Sequence, residues 1–168
     1  METEPDHDSS LETFLAEGLI TEVLNVIKSG KEATIHLCQA HPRTCTDFLA
    51  AKVYRPVQFR GFRDDAVYRE GRVILDRRVR RAVSAKTALG RRAEFGMWVG
   101  HEFEMMSRLH EAGADVPKPI AQAGNAILME YIGDEEQAAP MLNRVRLSSS
   151  QAPLLFERLI ANVELFLA

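Results

Sequence analysis

Two charged residues stand where apolar ones are expected. Lys52 interrupts the run Leu49-Ala50-Ala51-Lys52-Val53-Tyr54, and Glu102 falls in a stripe of Phe95, Trp98, Phe103, Met106 and Leu109 at helical spacing. A carboxylate or an ammonium facing a core is costly unless it is paired. A contact between Lys52 and Glu102 answers both needs; the alternative for Glu102 is a place at the rim of its stripe, reaching water. Upstream, Val26-Ile27-Lys28-Ser29-Gly30-Lys31-Glu32-Ala33-Thr34-Ile35-His36-Leu37 reads as strand, tight turn, strand. Its ends alternate apolar and polar residues, and its centre is small, polar and charged. Gly30 is expected to supply φ > 0 at the tip. Such a tip aims backbone N–H groups at one point, a geometry that suits an anion.

Residues around these three features are placed to hold a flat ring beside that anion. Ala50 shares a strand face with Lys52 and is small enough to leave room over the sheet. Ile27 and Ile35 are placed to cover the other side of the ring. Met129-Glu130-Tyr131-Ile132 ends a strand, where backbone C=O and N–H groups can meet the edge of an adenine. Each apolar position also fits a plain core role. A hairpin tip followed by a strand lysine, with a helix carboxylate to hold it, is how a protein-kinase N-lobe grips nucleotide phosphates.

Other chemistries fail on spacing. A Walker A loop needs glycine five residues before Gly30 and Ser or Thr after Lys31, where Asn25 and Glu32 stand. A GxGxxG loop finds only one of its three glycines. His7, His36, His41, His101 and His110 form no metal-ligand pattern, and no metal site is expected. Cys38 and Cys45 match no zinc or CxxC spacing; a hairpin could bring them together, but they read as reduced packing residues.

The elements that must position these residues follow from patterning and punctuation. Residues 1–8 are acidic and polar, and are expected to be a disordered tail. Ser9 to Glu12 has the spacing of a capping box and opens a short helix through Ala16, ended by Gly18. Strands are expected at about Leu19–Lys28, Ala33–Ala40 and Asp47–Tyr54. A helix is expected over Ala93–Ala112, stopped by Gly113. Two more strands, Pro119–Ala123 and Ala126–Ile132, are joined by Gly124-Asn125, a hairpin signal. After a loop from Gly133 to Arg146, Ser148-Ser149-Ser150 caps a last helix in which Leu155, Leu159, Asn162, Val163 and Phe166 share a mainly apolar face.

Length and charge set the frame. The chain has 168 residues and a net charge of −3, which point to one domain, or one domain with an extension, and to no obligatory polyanion partner for the whole molecule. Charge is unevenly spread: Arg60 to Arg92 holds eleven Arg or Lys against four Asp or Glu. That segment reads either as a solvated, mobile basic loop or as a docking surface for RNA or an acidic or phosphorylated protein. Ser84 and Thr87 in it are expected to be accessible to phosphorylation. No apolar run reaches membrane-spanning length, and the acidic N-terminus is no signal peptide. The expected compartment is the cytoplasm.

In combination the motifs resemble the RIO family of atypical serine/threonine protein kinases. They are Ser29-Gly30-Lys31-Glu32-Ala33, Ala50-Ala51-Lys52-Val53-Tyr54, Trp98-x-x-x-Glu102-Phe103, Val116-Pro117-x-Pro119, Leu128-Met129-Glu130-Tyr131-Ile132-Gly133 and Ala139-Pro140-x-Leu142. The arginine-rich insertion before Trp98 is similar to that of the first RIO subfamily. The resemblance implies an α+β fold: a kinase-like N-lobe over 9–132, with a five-stranded antiparallel sheet and one packed helix, and the hinge and first C-lobe helix over 133–168. It implies ATP as ligand, with Mg²⁺ in the intact enzyme. Ser29 to Ala33 become the phosphate loop, Lys52 the phosphate contact and Glu102 its holder. Met129 becomes the gatekeeper, Glu130 and Ile132 the adenine contacts, and Pro140 the mouth of the pocket. Lys28 stands where the subfamily often has a small polar residue. Family members continue into a His-Gly-Asp catalytic loop and a metal-binding aspartate, and this chain ends at Ala168, about where that loop is expected. The expectation is therefore an ATP-binding lobe inactive by itself, with ribosome association by analogy. The alternative is a non-catalytic module that binds RNA or an acidic protein through the basic segment. The apolar face of 153–167 is expected to self-associate where no C-lobe covers it.

Overall fold

Helix α1 (His7–Ala16) begins two residues earlier than the capping-box spacing predicts. Ser9 lies inside it, not at its cap, and its carbonyl accepts the Thr13 hydroxyl at 2.9 Å. The computed structural model describes residues 7–55 and 87–168. Most of the basic segment, including Ser84, therefore lies outside the described residues. Five strands follow the chain as β1 (Ile20–Ser29), β2 (Ala33–Ala40), β3 (Phe48–Tyr54), β4 (Pro119–Ala123) and β5 (Ala126–Glu130). They form one sheet, in the order β1-β2-β3-β5-β4, with every neighbouring pair antiparallel.

The sheet has two covered faces. Leu11 and Phe14 of α1 pack with Ile20, Cys38, Leu49, Ala51, Val53 and Leu128 on one. Helix α2 (Ala88–Glu111) sets Val99, Trp98, Phe95, Phe103 and Met106 against Ala50, Tyr54, Ile127 and Met129 on the other. Residues of β3 alternate between these sets, as the two-residue period of a strand requires. Covering on both sides explains why β3 reads as a nearly continuous apolar run. Burial pushes the Cys38 thiol up to about 12, with a backbone hydrogen bond from Ala51 acting the other way. Both cysteines are free, but only Cys38 is a packing residue; Cys45 is exposed and left-handed, with φ 58°.

The cap of α2 is Thr87, whose hydroxyl accepts the Gly90 N–H at 3.0 Å. The apolar stripe, which starts at Phe95, predicts a start at Ala93. Residues 88–92 extend the helix through that cap, without the stripe. Thr87, expected in an accessible loop, is a helix cap. The β4–β5 turn is Gly124-Asn125, with only Gly124 at positive φ (50°), the pattern of a type II′ hairpin. Asn125 ties that turn to two elements. Its Oδ1 accepts the Ser10 hydroxyl at 2.6 Å and its Nδ2 donates to the Tyr54 carbonyl at 2.7 Å.

Strand β5 ends at Glu130, two residues short of its expected end at Ile132, and Tyr131 meets Phe48 edge-on at 6.1 Å. The chain continues through a short 3₁₀ turn, Leu142–Arg144, to helix α3 (Gln151–Leu167). The N-cap residue, Ser150, makes no side-chain cap bond; ahead of it Ser148 and Gln151 bond reciprocally, the Gln151 N–H to Ser148 Oγ (3.2 Å) and the Ser148 N–H to Gln151 Oε1 (3.0 Å). Leu159, Val163 and Phe166 are exposed as expected, while Leu155 is half-buried. What fastens α3 is polar. The Asp115 carboxylate takes a bidentate grip from Arg158 at 2.5 Å and a further bond from Asn162 Nδ2 at 2.7 Å. Asn162, buried, also accepts the Asp115 N–H at 2.6 Å. The Arg158 bonds above all, with that from Asn162, hold the Asp115 carboxyl down at about 2. Among the described residues, no helix is long and apolar enough to cross a membrane.

Candidate functional site

Lys52 and Glu102 meet. Lys52 Nζ lies 2.6 Å from Glu102 Oε1, joining the middle of β3 to the middle of α2. Both side chains keep just over a quarter of their surface exposed, 29% and 27%, so the pair is desolvated in part and stays within reach of a ligand. The Tyr54 hydroxyl donates to the same carboxylate oxygen. Lys52 Nζ also sits 4.7 Å from the centre of the Tyr54 ring, a cation–π contact. Tyr54 is in turn braced edge-on by Trp98 at 4.8 Å, and Trp98 stacks on Phe95. The lysine is thus held from one side by charge and from another by a rigid aromatic set. Sequence reasoning misses Tyr54 as a member of this group. Its position two residues from Lys52, on the same strand face, is the available signal.

The hairpin tip stands next to this pair. Register sets Ile35 of β2 opposite Lys52, and Lys28 of β1 opposite Ile35. A cleft of about 330 Å³ lies here, lined by Lys28, Gly30, Lys31, Glu32, Ala33, Ile35 and Lys52. All seven are among the residues that the sequence nominates. Ile27 and Ile35 pack beside Ala50 and Met129, which oppose each other across β3 and β5. Ile35 alone of these four lines the cleft; Ile27, Ala50 and Met129 belong to the apolar cluster that packs with α2.

Three expectations fall differently. Gly30 donates its N–H to the Ala33 carbonyl at 2.9 Å but does so without positive φ, and an added Cβ would meet its nearest atom, the same carbonyl oxygen, at an ordinary 3.5 Å. Closing the tip between Ser29 and Thr34, which are paired in register, does not require the left-handed region. Ser29 does not line the cleft: its hydroxyl accepts from Arg55 Nη2 at 2.9 Å and lies 3.4 Å from Thr34 Oγ1. Arg55 also gives its backbone N–H to the Glu32 carbonyl at 2.8 Å, extending the β2–β3 pairing by one residue. It locks the tip from behind, a role that nothing in the sequence signals. Glu130, Ile132 and Pro140 do not line the cleft either; all three are exposed, and the Ile132 carbonyl is taken by the Ala139 N–H at 2.9 Å. Glu130 spends its own N–H on the Lys118 carbonyl at 2.8 Å and accepts the Lys118 N–H on its carboxylate at 3.1 Å.

A five-stranded sheet, a crossing helix, a strand lysine held by a helix carboxylate and a charged hairpin tip above it define a protein-kinase-type N-lobe. The family model described as the RIO domain matches residues 34–168, and the chain belongs to that family. It is 33% identical to the RIO-type serine/threonine-protein kinase Rio1 of Haloferax volcanii, over 82% of this chain and 43% of that one. It is 29% identical to human serine/threonine-protein kinase RIO1, over 88% of this chain and 24% of that one. The chain thus spans from about a quarter to under half of these relatives' length. Its fold is shared with the Rio2 kinase–ADP/Mg²⁺–phosphoaspartate complex from Chaetomium thermophilum, with a TM-score of 0.56 and 24% identity over 90% of this chain and 38% of that one.

Proposed function

We propose that this chain is the ATP-binding lobe of a RIO-type serine/threonine protein kinase, which in the intact enzyme passes the γ-phosphoryl group of ATP to a protein hydroxyl. The observation that carries the reading is the Lys52–Glu102 ion pair, formed at 2.6 Å beside the hairpin cleft. In this reading the Lys52 ammonium binds and neutralises phosphate oxygens, while Glu102 and Tyr54 hold it in place. Preorganised charge of that kind, aimed at a transferring phosphoryl group, is the main contribution a kinase makes. With the Gly30 N–H spent on the Ala33 carbonyl, the Lys31 N–H is the further tip donor in this reading. Ala50, Ile27, Ile35 and Met129 enclose the base, and the Ile132 N–H meets its edge.

Mg²⁺ neutralises β- and γ-phosphate charge in phosphoryl transfer. Among the described residues, no group of three His, Cys, Asp or Glu side chains could hold a metal. We expect the 168 residues alone to bind nucleotide and to transfer nothing. Calorimetric titration with ATP tests the first half. Lys52→Ala should weaken binding by at least about tenfold, the loss of a charge-assisted contact worth about 1.5–3 kcal/mol. Unchanged affinity in that variant refutes the site. Incorporation of labelled phosphate into a protein acceptor by the sequence-verified chain refutes the second half.

A further inference from the structure

Lys28 does not reach the cleft by ordinary strand alternation. Val26 opposes His36 and Lys28 opposes Ile35, so two steps on β1 match one on β2. That bulge moves Lys28 to the face of the sheet that carries Ile35 and Lys52. Without it, Lys28 would share the face of Val26, away from the cleft. The result is a cross-strand row, Lys28–Ile35–Lys52, with an ammonium at each end and an apolar floor between them. Adjacent strands are about 4.8 Å apart, so the two lysine backbones stand about 10 Å apart along the row.

The charges in the cleft are unbalanced. Lys28, Lys31 and Lys52 face one lining carboxylate, Glu32. Lys52 already has Glu102. Lys28 has no ion-pair partner among the described residues, and its ammonium lies 4.0 Å from the Met141 sulfur. An unpaired ammonium turned by a bulge into a concave site, opposite a second ammonium that is held rigid, calls for an extended polyanion lying between them.

We propose that Lys28 is a second phosphate-binding residue, which brackets the polyphosphate of the ligand against Lys52 and makes the cleft select nucleoside triphosphates over monophosphates. The proposal rests on the nucleotide-binding reading above and adds to it the residue that sets phosphate-number preference. A ligand with one phosphate reaches one end of the row; a chain of three spans toward both.

The test is calorimetric titration of the full chain with ATP and with AMP at one fixed ionic strength, for the wild type, Lys28→Ser, Lys28→Arg and Lys52→Ala. Lys28→Ser should weaken ATP binding about tenfold, the effect of losing one charge-assisted hydrogen bond, and change AMP binding less than about twofold. Lys28→Arg keeps the charge and should stay within about threefold of wild type for ATP. Lys28 is exposed, so the fold should be unaffected, and an unchanged melting temperature checks this. If Lys28→Ser leaves ATP binding unchanged while Lys52→Ala removes it, the bracket is overturned and the nucleotide site stands. Equal weakening of ATP and AMP also overturns it. If the wild type binds neither ligand, the bracket and the nucleotide reading fall together.

Discussion

Tyr54→Phe removes one atom from the candidate site and asks whether that atom positions the ion pair. Tyr54 is buried to 1% exposure, and Phe fills the same space, so no cavity opens. What is lost is a hydrogen bond from the hydroxyl to Glu102 Oε1. A hydrogen bond to a charged group contributes about 1.5–3 kcal/mol when buried. Glu102 is a little over a quarter exposed and can take a water in exchange, which puts the expected loss at about 1 kcal/mol. For a domain of this size that is a fall in melting temperature of about 2–4 °C. A double-mutant cycle with Glu102→Ala, which removes the acceptor, then isolates the contact. If the hydroxyl acts through the carboxylate, Tyr54→Phe should be nearly silent in the Glu102→Ala background, and the coupling should be about 0.5–1 kcal/mol. ATP affinity should fall a few-fold in Tyr54→Phe, because a less restrained Lys52 loses more side-chain entropy on binding. A melting temperature within about 1 °C of wild type, or fully additive effects in the cycle, refutes the argument that Tyr54 holds Glu102.

Two glycines at hairpin tips separate conformational need from mere occupancy. Gly124→Ala should destabilise by about 1–3 kcal/mol in chemical denaturation, because Gly124 has φ +50° and an added Cβ would lie 2.6 Å from Ser10 Oγ. Gly30→Ala should stay within about 0.5 kcal/mol of wild type, since its added Cβ meets only an ordinary contact. The polar fastening of α3 makes a pH prediction. The folded Asp115 carboxyl titrates at about 2, below its ordinary value of 3.8, chiefly through its hydrogen bonds to Arg158 and Asn162. Its contribution is therefore complete above the unfolded value and is lost as pH falls from about 4 toward 2. Carboxyl carbon chemical shifts should show that low titration, and Arg158→Ala should move it back toward 3.8; an unmoved midpoint in that variant refutes the assignment.

The fold is legible where pattern and punctuation agree. β2, β4 and the β4–β5 turn follow the sequence residue for residue, because β2 is bounded by its glycine turn and Pro42, and β4 by Pro119 and Gly124-Asn125. β1 is harder. Its three register shifts against β2 break the two-residue period, so Leu24 and Val26 are exposed while Ile20 is buried. No alternation test can foresee where an edge strand will bulge. The start of α2 escapes for another reason: its first turns carry no apolar stripe, and Thr87 is the one signal, with its partner Gly90 a poor helix former.

The site shows the same division at finer scale. Lys52 and Glu102 are legible because each is a charge placed where only a partner explains it, and two such anomalies in one chain point to each other. Tyr54 and Arg55 raise no such anomaly. A tyrosine in an apolar strand and an arginine at a strand end are ordinary in sequence, and only register shows that one faces Glu102 while the other pairs with Glu32 behind the tip. The orientation of Lys28 is the sharpest case. Read by alternation it belongs to the outer face; read by the bulge it belongs to the cleft. One inserted residue in an edge strand therefore decides whether a lysine is surface solvation or part of the ligand site, and the comparison of ATP with AMP at Lys28 is a direct measurement of that decision.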